Sequence, residues 1–228
     1  MPTRTVHPAR FSDSILAEVD RLLDRYLPKG GLILDPFAGT GRVHELASLD
    51  RHTTGVEIEP EWAGLHPRTI VGNALELPFG AASFDAVVTS PCYGNRMADH
   101  HRARDGSIRH TYTHIIQRIS GDPDRQLNPD NAGLLQWGDR YRDFHSKAWG
   151  EVRRVLRDQG LVFLNVSNHI RKFVEVPVVA WHLSEFDRLG FDLLDQVSVF
   201  TQRQRHGSNR DARAATETIA VLAKRSTG

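Results

Sequence analysis

Two short stretches of the chain carry residue types that chemistry needs. The first, Leu34-Asp35-Pro36-Phe37-Ala38-Gly39-Thr40-Gly41, follows the apolar run Gly31-Leu32-Ile33-Leu34 and precedes Val43-His44-Glu45-Leu46-Ala47, whose spacing is helical. A strand, a tight glycine turn and a helix N-terminus in that order let backbone approach a nucleotide-like ligand closely. Thr53-Thr54-Gly55-Val56-Glu57-Ile58 reads as the next strand, and Glu57 falls about 20 residues after the turn, where a carboxylate can take both hydroxyls of a ribose. The second stretch, Thr89-Ser90-Pro91-Cys92-Tyr93, closes the apolar run Ser83-Phe84-Asp85-Ala86-Val87-Val88. Its Ser90 hydroxyl and Pro91 carbonyl are hydrogen-bond acceptors, Tyr93 offers a flat face for stacking, and Cys92 adds a thiol.

At these residues the chain resembles the S-adenosylmethionine-dependent methyltransferases, and among them the exocyclic-amine methyltransferases of DNA, the N4-cytosine and N6-adenine type. Asp-Pro-Phe-Ala-Gly-Thr-Gly is similar to their cofactor motif. Ser-Pro-Cys-Tyr is similar to their catalytic Asp/Asn/Ser-Pro-Pro-Tyr/Phe motif with the second proline replaced by Cys92. The resemblance spans roughly the first two-thirds of the chain, with a weaker match at the end. It implies an α/β, Rossmann-like class I methyltransferase fold: a mostly parallel seven-stranded sheet with helices on both faces. It implies S-adenosylmethionine as cofactor, held by Phe11, Asp35, Pro36, Phe37, Ala38, Gly39, Thr40, Gly41, Glu57, Ile58, Asn73 and Ala74. In that reading Phe37 to Gly41 hold the methionine portion, Glu57 the ribose, and Asn73 the adenine amine in place of the family's usual aspartate. The segment His7-Pro8-Ala9-Arg10-Phe11 resembles one that lies over the methionine end; an ordinary N-terminal arm with a hydrophobic staple explains it equally.

The implied catalytic residues are Ser90, Pro91, Cys92 and Tyr93. An exocyclic amine is a poor nucleophile because its lone pair is drawn into the ring, so a site must accept the amine's protons and draw the nitrogen toward a tetrahedral shape. Ser90 and Pro91 supply acceptors, and Tyr93 a face for a base extruded from the duplex. The sulfonium methyl is already activated, so positioning supplies most of the catalysis and no metal is needed. The resemblance also implies N4 of cytosine over N6 of adenine, because serine at the first position is commonest in the family's cytosine-N4 members. Five alternatives stay open. Cys92 could be the nucleophile of a cytosine-C5 methyltransferase, or a small apolar replacement for proline. The substrate could be an RNA amine or a small-molecule amine, or the chain could be a non-catalytic remnant that binds cofactor or DNA.

The elements that must position these groups follow from periodicity. Ile15, Leu16, Val19, Leu22, Leu23 and Tyr26 form one helical face, ended by Pro28-Lys29-Gly30-Gly31. Glu59-Pro60-Glu61-Trp62 reads as a helix start, and Arg68 to Ala74 as a third strand. Residues 94–137 break the rhythm, with Arg96, Arg102, Arg104, Arg109, Arg118 and Arg125 set among His100, His101, His110 and His114. They read as a loop-rich basic insertion closing over substrate and reaching phosphates, or as a solvated loop. The histidine spacing fits no standard metal pattern. Beyond lie a helix from Asp139 stopped by Gly160, a strand Leu161 to Val166, a helix Val178 to Leu189, and strands Leu193 to Phe200 and Thr216 to Ala223. The resemblance places the last strand antiparallel beside the fifth.

The whole is expected to be one domain over residues 1–228, because 228 residues with 39% hydrophobic content suffice for a good-sized core. Lys plus Arg number 29 against 28 for Asp plus Glu, a formal charge of +1, so no global field recruits a polyanion. Duplex DNA, the expected partner, would be held locally by the insertion and by the 202–213 loop. A homodimer stays open. The single cysteine, the absence of a long apolar run and the lack of a signal-like start lead to an expected cytoplasmic, non-membrane location.

Overall fold

The structure, a computed structural model, describes residues 11–94, 111–171, 174–201 and 216–226. Helix α1 (Asp13–Tyr26) begins where the Ser12 side chain accepts from the Ile15 N–H, and buries Ile15, Leu16, Val19, Leu22 and Leu23. Phe11 packs in the same cluster, across the cap from Leu16, which is the staple arrangement. The sheet strands are β1 (Gly31–Asp35), β2 (Arg51–Glu57), β3 (Thr69–Val71), β4 (Phe84–Thr89) and β5 (Leu156–Val166), completed by β8 (Phe191–Phe200) and β9 (Thr216–Lys224). A separate two-stranded ribbon, β6 (His169–Arg171) and β7 (Val174–Val176), lies between β5 and the next helix.

The sheet order is β3-β2-β1-β4-β5-β9-β8. Within this sheet all pairings are parallel except those of β9, which runs antiparallel to both β5 and β8. The expected seven-stranded sheet and the antiparallel last strand are therefore observed. Its central strands are apolar on both faces because both are covered. Leu34, Val87, Val162 and Leu164 face one cluster with Trp149, Val152 and Phe186. Ile33, Ala86, Val88, Leu161 and Phe163 face the other, against α1. The chain order reverses between β1 and β4, and the crevice at the carboxyl ends of these strands is where ligands bind in open α/β sheets.

Three expectations need correction, and a fourth is met by a short element. The segment after the glycine turn forms only a single 3-10 turn, Arg42–Leu46, instead of a helix of useful length, because Ala47 is already extended and Ser48 pairs with Arg51. The expected helix start at Glu59 yields only α2 (Pro60–Ala63). Helix α4 (Asp139–Val155) is not stopped by Gly160; it passes directly into β5, whose Leu156 pairs with Phe84 before the register shifts to Ala86 and Leu161. Gly160 sits inside that bulge, where a Cβ would lie 2.8 Å from the Arg157 carbonyl oxygen. The insertion is not loop alone: α3 (Tyr112–Ser120) and a 3-10 turn, Ala132–Leu134, form within it. Tyr112, Ile115, Ile116 and Leu127 pack on Trp62. Helix α5 (Val178–Arg188) matches its expected span to within a residue. No helix among the described residues is long and apolar enough to cross a membrane.

Candidate active site

The glycine turn and the Ser90 turn leave adjacent strands, β1 and β4, at the same edge. One buried carboxyl ties them together. Asp35 accepts from the Thr89 hydroxyl at 2.7 Å and from the Phe37 N–H at 3.0 Å. Burial pushes this carboxyl up to about 7, against those two hydrogen bonds. The turn then folds back on β2: Ala38 N–H donates to the Val56 carbonyl, and Gly41 N–H to that of Ala38. Gly39 and Gly41 have φ of +53° and +78°, a region open to glycine. Gly55 is required for a different reason, since a Cβ there would come within 2.7 Å of the Ala38 Cβ.

Glu57 closes the same corner. Its carboxylate accepts from Gly39 N–H at 2.9 Å and Glu59 N–H at 3.0 Å, and burial raises it to about 7. A carboxylate offers about four lone-pair sites, so acceptor capacity remains for hydroxyl donors, and the residue fits a vicinal diol placed over the glycine turn. Ile58 is half-buried just beyond it, Pro36 and Ala74 are buried, and Thr40 is half-buried on the turn. Asn73 is already engaged: its Oδ1 accepts from Leu75 N–H at 2.9 Å and its Nδ2 donates to Asp130 at 3.0 Å. A carboxylate from the insertion thus stands beside the residue expected to meet adenine. Phe11 has its ring in the α1 core, and its carbonyl accepts from Arg42.

At the Ser90 turn the structure assembles four side chains from three distant segments. Ser90 Oγ lies 3.0 Å from the Tyr93 hydroxyl, which donates to Glu217 Oε2 at 2.9 Å. Asn165 Nδ2 donates to Glu217 at 2.7 Å and reaches Ser90 and Tyr93 at 3.2 Å each. Asn165, next to last in β5, is almost fully buried, and Glu217 is half-buried on β9. The Asn165 Oδ1 is buried with no partner among the described residues, which is costly for a carbonyl. Neither residue was singled out from the sequence; the signal available was a polar residue interrupting the apolar run Leu161 to Val166. Tyr93 also rests its ring against the core cluster that contains Trp149.

Beneath the turn, a second chain of hydrogen bonds holds its backbone. Tyr141 donates to the Cys92 carbonyl at 2.7 Å and meets His182 Nε2 at 2.9 Å, while Trp149 donates to His182 Nδ1 at 3.0 Å. His182 must therefore carry its proton on Nε2, and burial holds its pKa well below the usual value. Cys92 itself packs on the Trp62, Tyr112 and Ile115 cluster, its sulfur 3.4 Å from the Tyr112 hydroxyl. Burial pushes this thiol up to about 11. That is the environment of a packing group, which favours the small-replacement reading over a poised nucleophile.

The insertion is latched by Glu59, fully buried at 0% exposure. Its carboxylate accepts from Arg125 Nη2, Asn128 N–H and Asn131 Nδ2, each at 2.8 Å. Arg125, expected to reach phosphates, is instead paired with Glu59 and Glu61. His114 bonds Thr111. Arg96, Arg102, Arg104, Arg109, His100, His101, His110 and the 202–213 loop lie outside the described residues. Among the described residues no group of three or more histidines, cysteines or carboxylates is placed to hold a metal ion.

No family model matches the chain, and no curated protein does. Solved structures do. An S-adenosylmethionine-dependent methyltransferase from Methanosarcina mazei is 14% identical with a TM-score of 0.58, covering 90% of this chain and 98% of its own. The 1,6-didemethyltoxoflavin-N1-methyltransferase of Burkholderia thailandensis, solved with bound 1,6-didemethyltoxoflavin and S-adenosylhomocysteine, is 16% identical with a TM-score of 0.52, over 92% and 78% of the two chains. The N-methyltransferase NodS of Bradyrhizobium japonicum is 9% identical with a TM-score of 0.54, over 94% and 99%. The chain has the Rossmann-like class I methyltransferase fold. At these identities the likeness establishes architecture, and the activity has to be argued from the residues.

Proposed function

We propose that this chain is an S-adenosylmethionine-dependent methyltransferase acting on an exocyclic amine of duplex DNA, with N4 of cytosine preferred over N6 of adenine. The observation that carries the reading is the Asp35 to Thr89 hydrogen bond, which sets the glycine turn and the Ser90-Pro91-Cys92-Tyr93 turn side by side on the carboxyl edge of the sheet. Glu57 would hold the ribose, the Phe37 to Gly41 turn the methionine portion, and Asn73 with Asp130 the adenine end. The bound cofactor supplies an activated methyl group. The chain's own residues do the rest: Ser90 and the Pro91 carbonyl accept the amine's hydrogens, and Tyr93 borders the base. The DNA-facing contacts are proposed for the insertion and the 202–213 loop. A small-molecule amine is the second reading, favoured by the engagement of Arg125 with Glu59 and Glu61 in place of phosphate.

The test is nucleoside mass spectrometry of unmethylated duplex DNA incubated with the protein and isotope-labelled S-adenosylmethionine. Label in N4-methylcytosine is the expected result. Label in N6-methyladenine keeps the chemistry and changes the base. Label at C5 that vanishes in Cys92→Ala would transfer catalysis to the thiol, and transfer only to small amines, indifferent to salt, would remove DNA from the reading.

A further inference from the structure

The Ser90 hydroxyl alone cannot complete an amine methylation. When the nitrogen's lone pair forms its bond to the methyl carbon, the methyl's bond to sulfur breaks and its electrons stay on sulfur. The nitrogen then carries one proton too many. An aliphatic alcohol is far too weak a base to retain that proton, so a stronger acceptor must stand behind it.

The geometry points to Glu217 as that acceptor, reached from Ser90 through Tyr93, an inference that rests on the amine-methylation reading. The direction of the chain follows from donor counting. An ionised carboxylate only accepts, so Tyr93 gives its single hydroxyl hydrogen to Glu217 at 2.9 Å. The 3.0 Å contact between Ser90 and Tyr93 is then a donation from Ser90, and Ser90 accepts from the Asn165 amide at 3.2 Å. All hydroxyl hydrogens point from the substrate side toward Glu217. As the amine's proton enters Ser90 Oγ, the Ser90 proton passes to the Tyr93 oxygen and the Tyr93 proton to Glu217 Oε2. The N–H bond breaks, Glu217 ends as the neutral acid, and its half-exposed position on β9 lets it return the proton to water. Asn165, donating to Glu217 at 2.7 Å, orients the carboxylate. Ser90 is the catalytic residue of this relay; Tyr93 in its hydroxyl role, Asn165 and Glu217 are positioning residues.

The experiment compares the full chain with Glu217→Gln, Glu217→Asp, Tyr93→Phe and the Tyr93→Phe/Glu217→Gln double variant, in single turnovers on unmethylated duplex DNA, RNA and a small aromatic amine. Glu217→Gln keeps size and hydrogen-bond acceptance but not basicity. It should slow transfer by about 100-fold or more, leaving the KM for the methylated substrate and the Kd for S-adenosylmethionine unchanged. Glu217→Asp should recover part of the rate, and the double variant should be no slower than the slower single one. Independently of turnover, the Cζ resonance of 13C-labelled Tyr93 should move in Glu217→Gln. An unmoved resonance, an undiminished rate, or a loss confined to KM overturns the relay. If RNA or the small amine alone is methylated and Glu217→Gln slows that transfer, the relay stands and the DNA assignment falls. If none of the three is methylated, both fall.

Discussion

Glu57 is a carboxyl whose chemistry is set by burial, and that has a measurable consequence. Its pKa is raised to about 7 from 4.5, and the ribose hydroxyls it is proposed to hold donate hydrogen bonds, which favours the ionised form. Cofactor binding and protonation therefore compete. By calorimetry, the Kd for S-adenosylmethionine should be flat above about pH 8 and weaken by up to about tenfold per unit below about pH 7. Glu57→Gln should bind weakly at every pH with no such slope. Glu57 was legible in the sequence because strand, turn and strand are local patterns with a known offset. Asn165 and Glu217 were not, because nothing in a strand's own periodicity says which distant side chain a residue near its end will meet.

The insertion owes its position to one buried side chain more than to its own helix. Glu59 accepts from Arg125, Asn128 and Asn131 while its N–H donates to Glu57, so the latch of the insertion adjoins the proposed ribose site. Removing Glu59 leaves the Asn128 N–H and the Asn131 Nδ2 without their acceptor while Arg125 keeps Glu61, and an unsatisfied buried donor costs about 1–3 kcal/mol. Glu59→Ala should lower stability by that order, and amide exchange should accelerate across Tyr112–Ser120 and residues 128–135 while β1, β4 and β5 stay protected. Uniform acceleration across the sheet would show that Glu59 supports the whole fold instead. The helical spacing of Tyr112, Ile115 and Ile116 was present in the sequence. It was masked by the surrounding arginines, glycines and prolines, since nine residues are too few for a helix to declare itself without the Trp62 surface it packs on.

The molecule as a whole holds two populations of buried titratable groups that act in opposite directions. Asp35 and Glu57 are raised to about 7 from 3.8 and 4.5, so their contribution is complete below those ordinary values and is lost as pH rises through about 7. His44 and His145 are pushed down from 6.5 to about 4 by burial, and His182 well below 6.5. Their contribution is complete above 6.5 and is lost as pH falls toward 4. At about pH 5.5 the unfolded chain gains nearly three protons on histidine against two held by the native carboxyls; at about pH 7.5 the native state holds more. The melting temperature of the cofactor-free protein should therefore peak near about pH 6.5, with the acid side steeper. Asp35→Asn/Glu57→Gln should abolish the decline between about pH 6.5 and 8, and a decline that persists there would assign it to other groups.

The order of strands and helices, the paired turns at Gly39 and Ser90 and the carboxylate at Glu57 follow from residues only a few positions apart, because hydrophobic period and turn chemistry are short-range. The partners of the Ser90 turn do not. Tyr93 meets Glu217 across 124 residues, and Asn165 meets it across 52. Tyr141 reaches the Cys92 carbonyl across 49. The two Glu217 contacts exist because β9 inserts antiparallel beside β5 in one register, Val166 opposite Thr218. A shift of one residue would turn Glu217 to the other face of the sheet.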